Sequence, residues 1–388
     1  MYPLTVIGGG FAGLTAALAG AEAGAEVTLY EAHRALGGRA RTADGEHRTN
    51  DGPHALYAKG PHWRWLKERG LLRPLAGIPP AEGLRFRYHH GGRLRATPPA
   101  GLLRARRAKE APSDVPYLEW AAGRWGEETA VAAANFAAVA TFHHAPGELS
   151  AAFTHARMRR ASRLPPEARY PRGGWGALVK RMADQARAKG VTIETDARVS
   201  DLDALPGARR GPVVVATSLA AAHALLGHPS LTWPSGRTVL LDLALTARRG
   251  DAFVISDLDA PGWIERFTAV DRTLAPEGQS LLQAQFPLPP GAPRTQPLAR
   301  AEHLLDLGFP GWRERVVHRR EAVAEGRTGA VDPPGTTWRD RPAVDRGDGV
   351  YVAGDQVAAP GVLSEVSFNS ALEAVRLALR QGSGARVV

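Results

Sequence analysis

Gly8, Gly10 and Gly13 are the first residues whose spacing can do chemistry. They stand between an apolar run, Leu4-Thr5-Val6-Ile7, and a stretch in which Leu14, Ala17, Leu18 and Ala21 recur at helical spacing. In a strand-turn-helix setting the first glycine permits the tight turn and the second lets the backbone approach a pyrophosphate. The third allows close helix-strand packing. Phe11 and Ala12 open the helix, so its N-terminus faces the anion. Beyond Gly24, Val27-Thr28-Leu29-Tyr30 reads as a second strand closing with Glu31. A carboxylate there accepts hydrogen bonds from an adenosine ribose and repels a 2′-phosphate, which favours FAD or NAD over NADP.

Composition narrows the alternatives. The chain has 388 residues and no cysteine, which removes disulfide scaffolds, zinc ribbons, cysteine nucleophiles and any thioether-linked cofactor. The charge is +10, from 49 basic and 39 acidic side chains. Only Lys59, Lys67, Lys109, Lys180 and Lys189 of those basic residues are lysines. The arginine excess runs from end to end and forms no stripe interleaved with aromatics, so no nucleic-acid partner is expected. No stretch reaches the roughly 18 to 20 consecutive apolar residues of a membrane span. The N-terminus runs straight into the first strand without a basic leader, and a cytoplasmic location is expected. No metal site is expected either: His89-His90 and His143-His144 lack a carboxylate or third ligand at metal-site spacing in the sequence.

The elements that must position these residues fall into two sets. The opening strand, glycine turn, helix and strand form one βαβ half. Residues 61 to 170 break that rhythm with proline-rich joints and helical stretches, Trp63 to Arg69 and Tyr117 to Ala140, and read as a mainly helical insertion. Strand-helix alternation then returns, with a helix over Gly176 to Lys189 and strands at Val191 to Glu194 and Pro212 to Ala216. Residues 226 to 334 carry extended pieces (Thr238 to Leu245, Ala252 to Ser256, Ser280 to Phe286) and one helix near Leu298 to Leu307. They predict a second inserted layer, a mixed sheet. Gly349 to Ala353 is a strand, Gly354-Asp355 a turn, and Leu363 to Arg380 an amphipathic helix.

Leu36-Gly37-Gly38-Arg39-Ala40-Arg41-Thr42, Asp51-Gly52-Pro53-His54 and Val350-Tyr351-Val352-Ala353-Gly354-Asp355 together resemble the flavin-dependent amine oxidase and phytoene desaturase superfamily. Tyr170-Pro171-Arg172-Gly173-Gly174 and Gly190-Val191-Thr192-Ile193 with Val199 extend the resemblance in the family's order. It implies an α/β fold, with a Rossmann-like FAD-binding domain of glutathione-reductase type assembled from residues 1–60, 171–225 and 335–388. Residues 61–170 and 226–334 would form an inserted α+β substrate domain.

By the same resemblance, FAD is bound non-covalently. Gly8, Gly10, Phe11, Ala12 and Gly13 would wrap its pyrophosphate, Glu31 would hold the adenosine ribose, and Arg39, following Gly37, would pair with phosphate. Gly38, Gly52 and Pro53 would let the backbone approach the cofactor, and Val199 would meet the adenine edge. Asp355, after Gly354, would bond a ribityl hydroxyl. The helix start at Leu363-Ser364 would aim its dipole at the flavin edge where negative charge develops on reduction. His54, Tyr57 and Trp338 would line the reaction cavity, His54 as an acid or base.

The expected function is therefore removal of a hydride from a C–N or C–C bond of a small, largely apolar metabolite, with oxygen or another electron acceptor. Two alternatives stand beside it: a redox-neutral flavin-dependent isomerase or cyclase, and a non-catalytic FAD-binding protein. The family's amine oxidases usually carry a lysine in the second half of the chain, and none follows Lys189 here. Ser370-Ala371 replaces the usual Ser-Gly pair of the last helix.

Overall fold

A computed structural model describes residues 2–52, 55–205 and 211–384. Five short strands make a parallel sheet in the order Val350–Val352, Val213–Val215, Pro3–Ile7, Glu26–Tyr30 and Thr192–Glu194. Their residues are mostly Val, Leu, Ile and Tyr, the near-continuous apolar type that a parallel sheet covered by helices requires. The central strand Pro3–Ile7 is flanked in register by Glu26–Tyr30 and by Val213–Val215.

Three helices cover the sheet and each other. The N-terminal helix Phe11–Glu22 is buried along most of its length and packs on the helices Ser364–Gly384 and Trp175–Ala188. Small residues seat the helix on the first strand as well: a Cβ at Gly20 would come within 2.5 Å of Leu4 Cδ2. Trp175 is 1% exposed and meets Phe11 edge-on at 5.5 Å between centroids. That contact joins the start of the first helix to the start of a helix more than a hundred residues later.

A seven-stranded mixed sheet forms the other layer. Its order is Val316–Ala330, Ser235–Thr246, Gln279–Pro287, Gly262–Arg266, Val254–Asp257, Phe86–His90 and Arg93–Arg95. The helix Thr295–Gly308 buries Ala301, Leu304 and Leu305 against one apolar cluster of this sheet. The helices between residues 100 and 161 build a separate cluster around Tyr117, Phe136 and Met158. A three-stranded sheet, Leu56–Tyr57, Ala168–Pro171 and Leu75–Ala76, lies in the chain between the parallel-sheet segments.

Two expectations are corrected. Residues 61–170 are not purely a helical break, since Phe86–His90 and Arg93–Arg95 extend the large sheet. The alternation of Phe86 and Tyr88 with Arg87 and His89 is a period-2 signal that the surrounding helices obscure. The helical stretch from Tyr117 divides into Tyr117–Trp125 and Glu127–Thr141, because Gly126 at φ +84° caps the first and opens the second. The 15-residue strand Val316–Ala330 lies at the sheet edge and is rich in Arg and Glu, which suits an edge and hides it from an apolar pattern. Among the described residues no helix is long and apolar enough to cross a membrane.

Replacing Trp175 with alanine should remove about 3 to 5 kcal/mol of stability, since a large, fully buried ring leaves a cavity between two helices. Chemical denaturation of the variant against the parent protein checks this.

Candidate functional site

The glycine turn lies at the C-terminal edge of the parallel sheet. Gly8 has φ +106°, and a Cβ there would sit 2.6 Å from Ala216 O; one on Gly13 would sit 1.8 Å from Gly8 O. These two glycines are therefore required by the crossing of helix and strand itself. Gly10 differs: it caps the helix in extended backbone, and a Cβ on it would meet nothing nearer than Gly37 O at 3.8 Å. Phe11 turns its ring into the core against Trp175 and Ala12 is buried, so their backbone amides are what the first helical turn offers an anion.

Glu31 follows the strand Glu26–Tyr30 and is 7% exposed. Its Oε2 accepts the Gly9 N–H at 2.7 Å and its Oε1 accepts the His33 N–H at 2.9 Å. The carboxylate thus ties the glycine turn to the second strand, and its remaining lone pairs can serve a ribose. Gly37 and Gly38 both have positive φ, and Gly37 N donates to Gly9 O at 2.8 Å. This seats the Gly38–Ala40 turn against the first glycine turn. Val199, expected at an adenine edge on a strand, lies instead in irregular chain beyond Thr192–Glu194, half-buried on the sheet core.

Arg39 and Asp355, given separate tasks by the sequence, are brought together. The Arg39 guanidinium forks onto the carboxylate through Nη1 to Oδ2 and Nη2 to Oδ1, the second at 2.6 Å. Residues 316 positions apart are thereby joined across the site. Gly52 makes its close approach to protein: a Cβ there would fall 2.5 Å from Arg39 O. Gly354 is clasped by Ser370, whose Oγ accepts the Gly354 N–H at 2.9 Å and donates to Gly354 O at 3.0 Å. The last helix begins at Ser364, directly after Leu363, whose φ of +55° is unusual for a branched side chain.

Of the three cavity residues, Tyr57 pairs with Ala168 in the small sheet, and burial pushes its hydroxyl pKa up to about 12. The Arg160 guanidinium lies over its ring at 5.1 Å. Trp338 sits in a turn under the Arg339 guanidinium at 4.3 Å and makes no ring contact with Tyr57 among the described residues. His54 and Pro53 lie outside the described residues.

Sequence reasoning missed a polar row on the large sheet. Arg320, Asp242, Gln283 and Glu265 are direct cross-strand partners on four neighbouring strands and so share one face. Gln283 Nε2 donates to Asp242 Oδ1 at 2.6 Å and to Asn50 O at 3.2 Å. Arg320 pairs with Asp51 and donates to Thr49 Oγ1 at 2.7 Å. Tyr170 donates its hydroxyl proton to Glu265 Oε1 at 2.6 Å. The row therefore abuts the Thr49-Asn50-Asp51 segment. Burial raises the Asp242 carboxyl to about 7, against the opposing pull of Gln283 and Arg320. Burial likewise raises Glu265 to about 7, against the Tyr170 hydrogen bond. The available signal was a lone Asp inside the apolar run Val239 to Leu245, and Gln283 and Gln285 alternating with Leu282, Ala284 and Phe286.

Strand pairing also supplies what the His89-His90 segment lacked in the sequence. His89, Asp257 and Asp259 place ligand atoms within 4.8 Å of one another. Arg300 already lies there, donating to Asp257 at 2.6 and 2.8 Å with Nη2 3.1 Å from His89 Nδ1. A guanidinium thus takes the cation's place in this cluster.

The two nearly open and closed glycine positions separate folding from binding. Gly10→Ala should change stability by less than about 0.5 kcal/mol and weaken dinucleotide binding about tenfold or more, read by flavin titration. Gly13→Ala should lower both, as its Cβ cannot be housed. The carboxyl pair sets a pH dependence. A carboxyl raised in the folded protein keeps its full stabilising effect below the ordinary carboxylate range and loses it as pH rises through about 7. Denaturation midpoints should fall between about pH 5 and 8, and the double variant Asp242→Asn, Glu265→Gln should flatten that slope.

Residues 6–69 match the model of the NAD(P)-binding Rossmann-like domain family. No curated protein matches the sequence. Among solved structures, an oxidoreductase from Methanosarcina mazei superposes with a TM-score of 0.76 at 17% identity, over 96% of this chain and 100% of its own. Cyclohexylamine oxidase from Brevibacterium oxydans gives 0.71 at 16% identity, over 98% and 99%. Reduced UDP-galactopyranose mutase gives 0.69 at 13%, over 98% and 96%. From end to end, the chain thus shares the fold of these solved structures.

Proposed function

We propose that the protein is an FAD-dependent oxidoreductase that holds FAD without a covalent bond and removes a hydride and a proton from a C–N or C–C bond of a small metabolite. The observation that carries this reading is the single edge on which Gly10, Glu31, Arg39 and Asp355 converge. The residues fit the group. The Cβ position of Gly10 is open, the first-turn amides have no helical partner to lose, and Glu31 has lone pairs left for ribose hydroxyls. Bound FAD supplies the hydride acceptor; orientation and dryness come from the chain.

The glycine turn and the first helix bind diphosphate, while the Arg39–Asp355 pair holds the last strand's turn at the same site, Arg39 facing phosphate and Asp355 a ribityl hydroxyl. Tyr57 and Tyr170 wall off water on the side of the small sheet. Glu265, oriented by Tyr170 and with its pKa raised to about 7, is part ionised near neutrality, and its carboxylate form can take up the proton released with the hydride. A redox-neutral reading also has support: no lysine follows Lys189, and the mutase shares the fold.

Purified protein should be yellow or become so with added FAD, and an anaerobic screen of amines, amino acids and polyenes should bleach it with one class. Protein that neither carries nor takes up FAD overturns the reading. Turnover without oxygen uptake or acceptor reduction selects the redox-neutral form.

A further inference from the structure

Arg157 is a cation buried without an anion. It lies on the helix Ala151–Ala161, is 5% exposed, and stacks its guanidinium 3.3 Å above the Phe153 ring. Its Nη1 donates to Phe153 O at 3.2 Å, one turn back. Nε donates to nothing, and no hydrogen bond from Nη2 or ion pair with a carboxylate exists among the described residues. The groups close enough to act on it are Arg341, Asp332, Tyr57 and Glu365.

Neither neighbouring carboxylate is free to neutralise it. Asp332 is taken side-on by Arg341, Nε to Oδ1 and Nη2 to Oδ2, both at 2.8 Å. Glu365 Oε1 is held by Arg160 Nη2 at 2.7 Å, and its Oε2 accepts the Val362 N–H at 3.0 Å. Burying an unpaired guanidinium is costly, and its pKa falls to about 9 through desolvation first and the Arg341 charge second. The cost is relieved when an anion arrives.

We infer that Arg157 is the receptor for a carboxylate group of the substrate, which it takes on Nη2, the guanidinium nitrogen that is neither hydrogen-bonded nor sealed by protein atoms among the described residues. Nη2 offers charged N–H donors to a carboxylate oxygen, as Arg341 Nη2 does to Asp332 Oδ2 at 2.8 Å. The location suits a substrate. Tyr57, on the strand Leu56–Tyr57, and Glu365, in the first turn of the last helix, are close enough to act on the Arg157 charge. Both belong to segments that the proposed function puts at the reaction site, and the inference rests on that reading for calling the ligand a substrate. The Phe153 ring and the Nη1 bond hold the fork in place before the ligand binds, so little side-chain freedom is lost on binding.

Benzoate and its neutral isostere benzamide are the probes, titrated calorimetrically into the flavin-loaded protein after its FAD content has been measured. Benzoate should bind at least about tenfold more tightly than benzamide. Arg157→Met should erase that preference, and Arg157→Lys, which keeps the charge and loses the fork, should retain only part of it. A crystal soaked with 4-bromobenzoate should show bromine density with the carboxylate on Arg157, which covers the case of variants that fold poorly. Equal affinity for both probes, an unchanged preference in Arg157→Met, or bromobenzoate bound elsewhere overturns the inference. Loss of FAD alone from Arg157→Met, with the benzoate preference intact, overturns it too. Protein that lacks FAD but binds benzoate through Arg157 refutes the proposed oxidoreductase and leaves the carboxylate site standing.

Discussion

The approach of the first helix to the first strand constrains the rest of the molecule. Gly13 has no room for a single carbon against the Gly8 carbonyl, and Gly20 is nearly as tight against Leu4. Helix and strand therefore meet at backbone distance, which fixes where the helix begins. Once that start is fixed, its free amides face one point at the sheet edge. Glu31 is locked to Gly9 there, and the Gly37 turn is bridged to Gly10 beside it. Phe11 then meets Trp175, so the middle segment of the chain is held to the same geometry.

Charge is placed on that frame under a second constraint, the cost of burying ions. Most buried charges are answered by geometry: Arg341 with Asp332, Arg315 with Asp251, Arg300 with Asp257, Arg39 with Asp355. These pairs hold distant segments in register more than they add net stability, because desolvation offsets much of the attraction. Glu265 and Arg157 depart from the rule, and Asp242 has only a 3.5 Å contact with Arg320, which also serves Asp51. The two carboxyls meet burial by holding protons near neutrality, and Arg157 meets it with a ring face and one carbonyl. Ionisable groups left without a matching charge on one side of a proposed reaction site are what chemistry and recognition use.

The parallel sheet was legible because its signals are local. A β-branched run, a glycine turn and a small-residue helix lie within some thirty residues, and the glycine spacing has a steric cause at Gly8 and Gly13. The large sheet was legible only in part. Ser235–Thr246 and Gln279–Pro287 show apolar runs, whereas Val316–Ala330 is an edge strand whose exposed face carries charge and whose partner is about eighty residues away. Gly126 shows how one φ of +84° divides a continuous helical pattern.

What the sequence determined by itself is the strand-turn-helix edge: the steric need for Gly8 and Gly13 and the carboxylate at Glu31 follow from residue types within one short segment, while a chain without cysteine forms no thioether anywhere. What only the tertiary structure decided is which distant groups meet. Arg39 facing Asp355, Arg320 beside Asp242 and Asp51, Tyr170 on Glu265, and Arg157 buried without a carboxylate partner among the described residues all depend on strand register and helix packing across hundreds of residues. Local patterns encode the conformation of a segment. The partner of a buried charge is set by the three-dimensional closure of the fold.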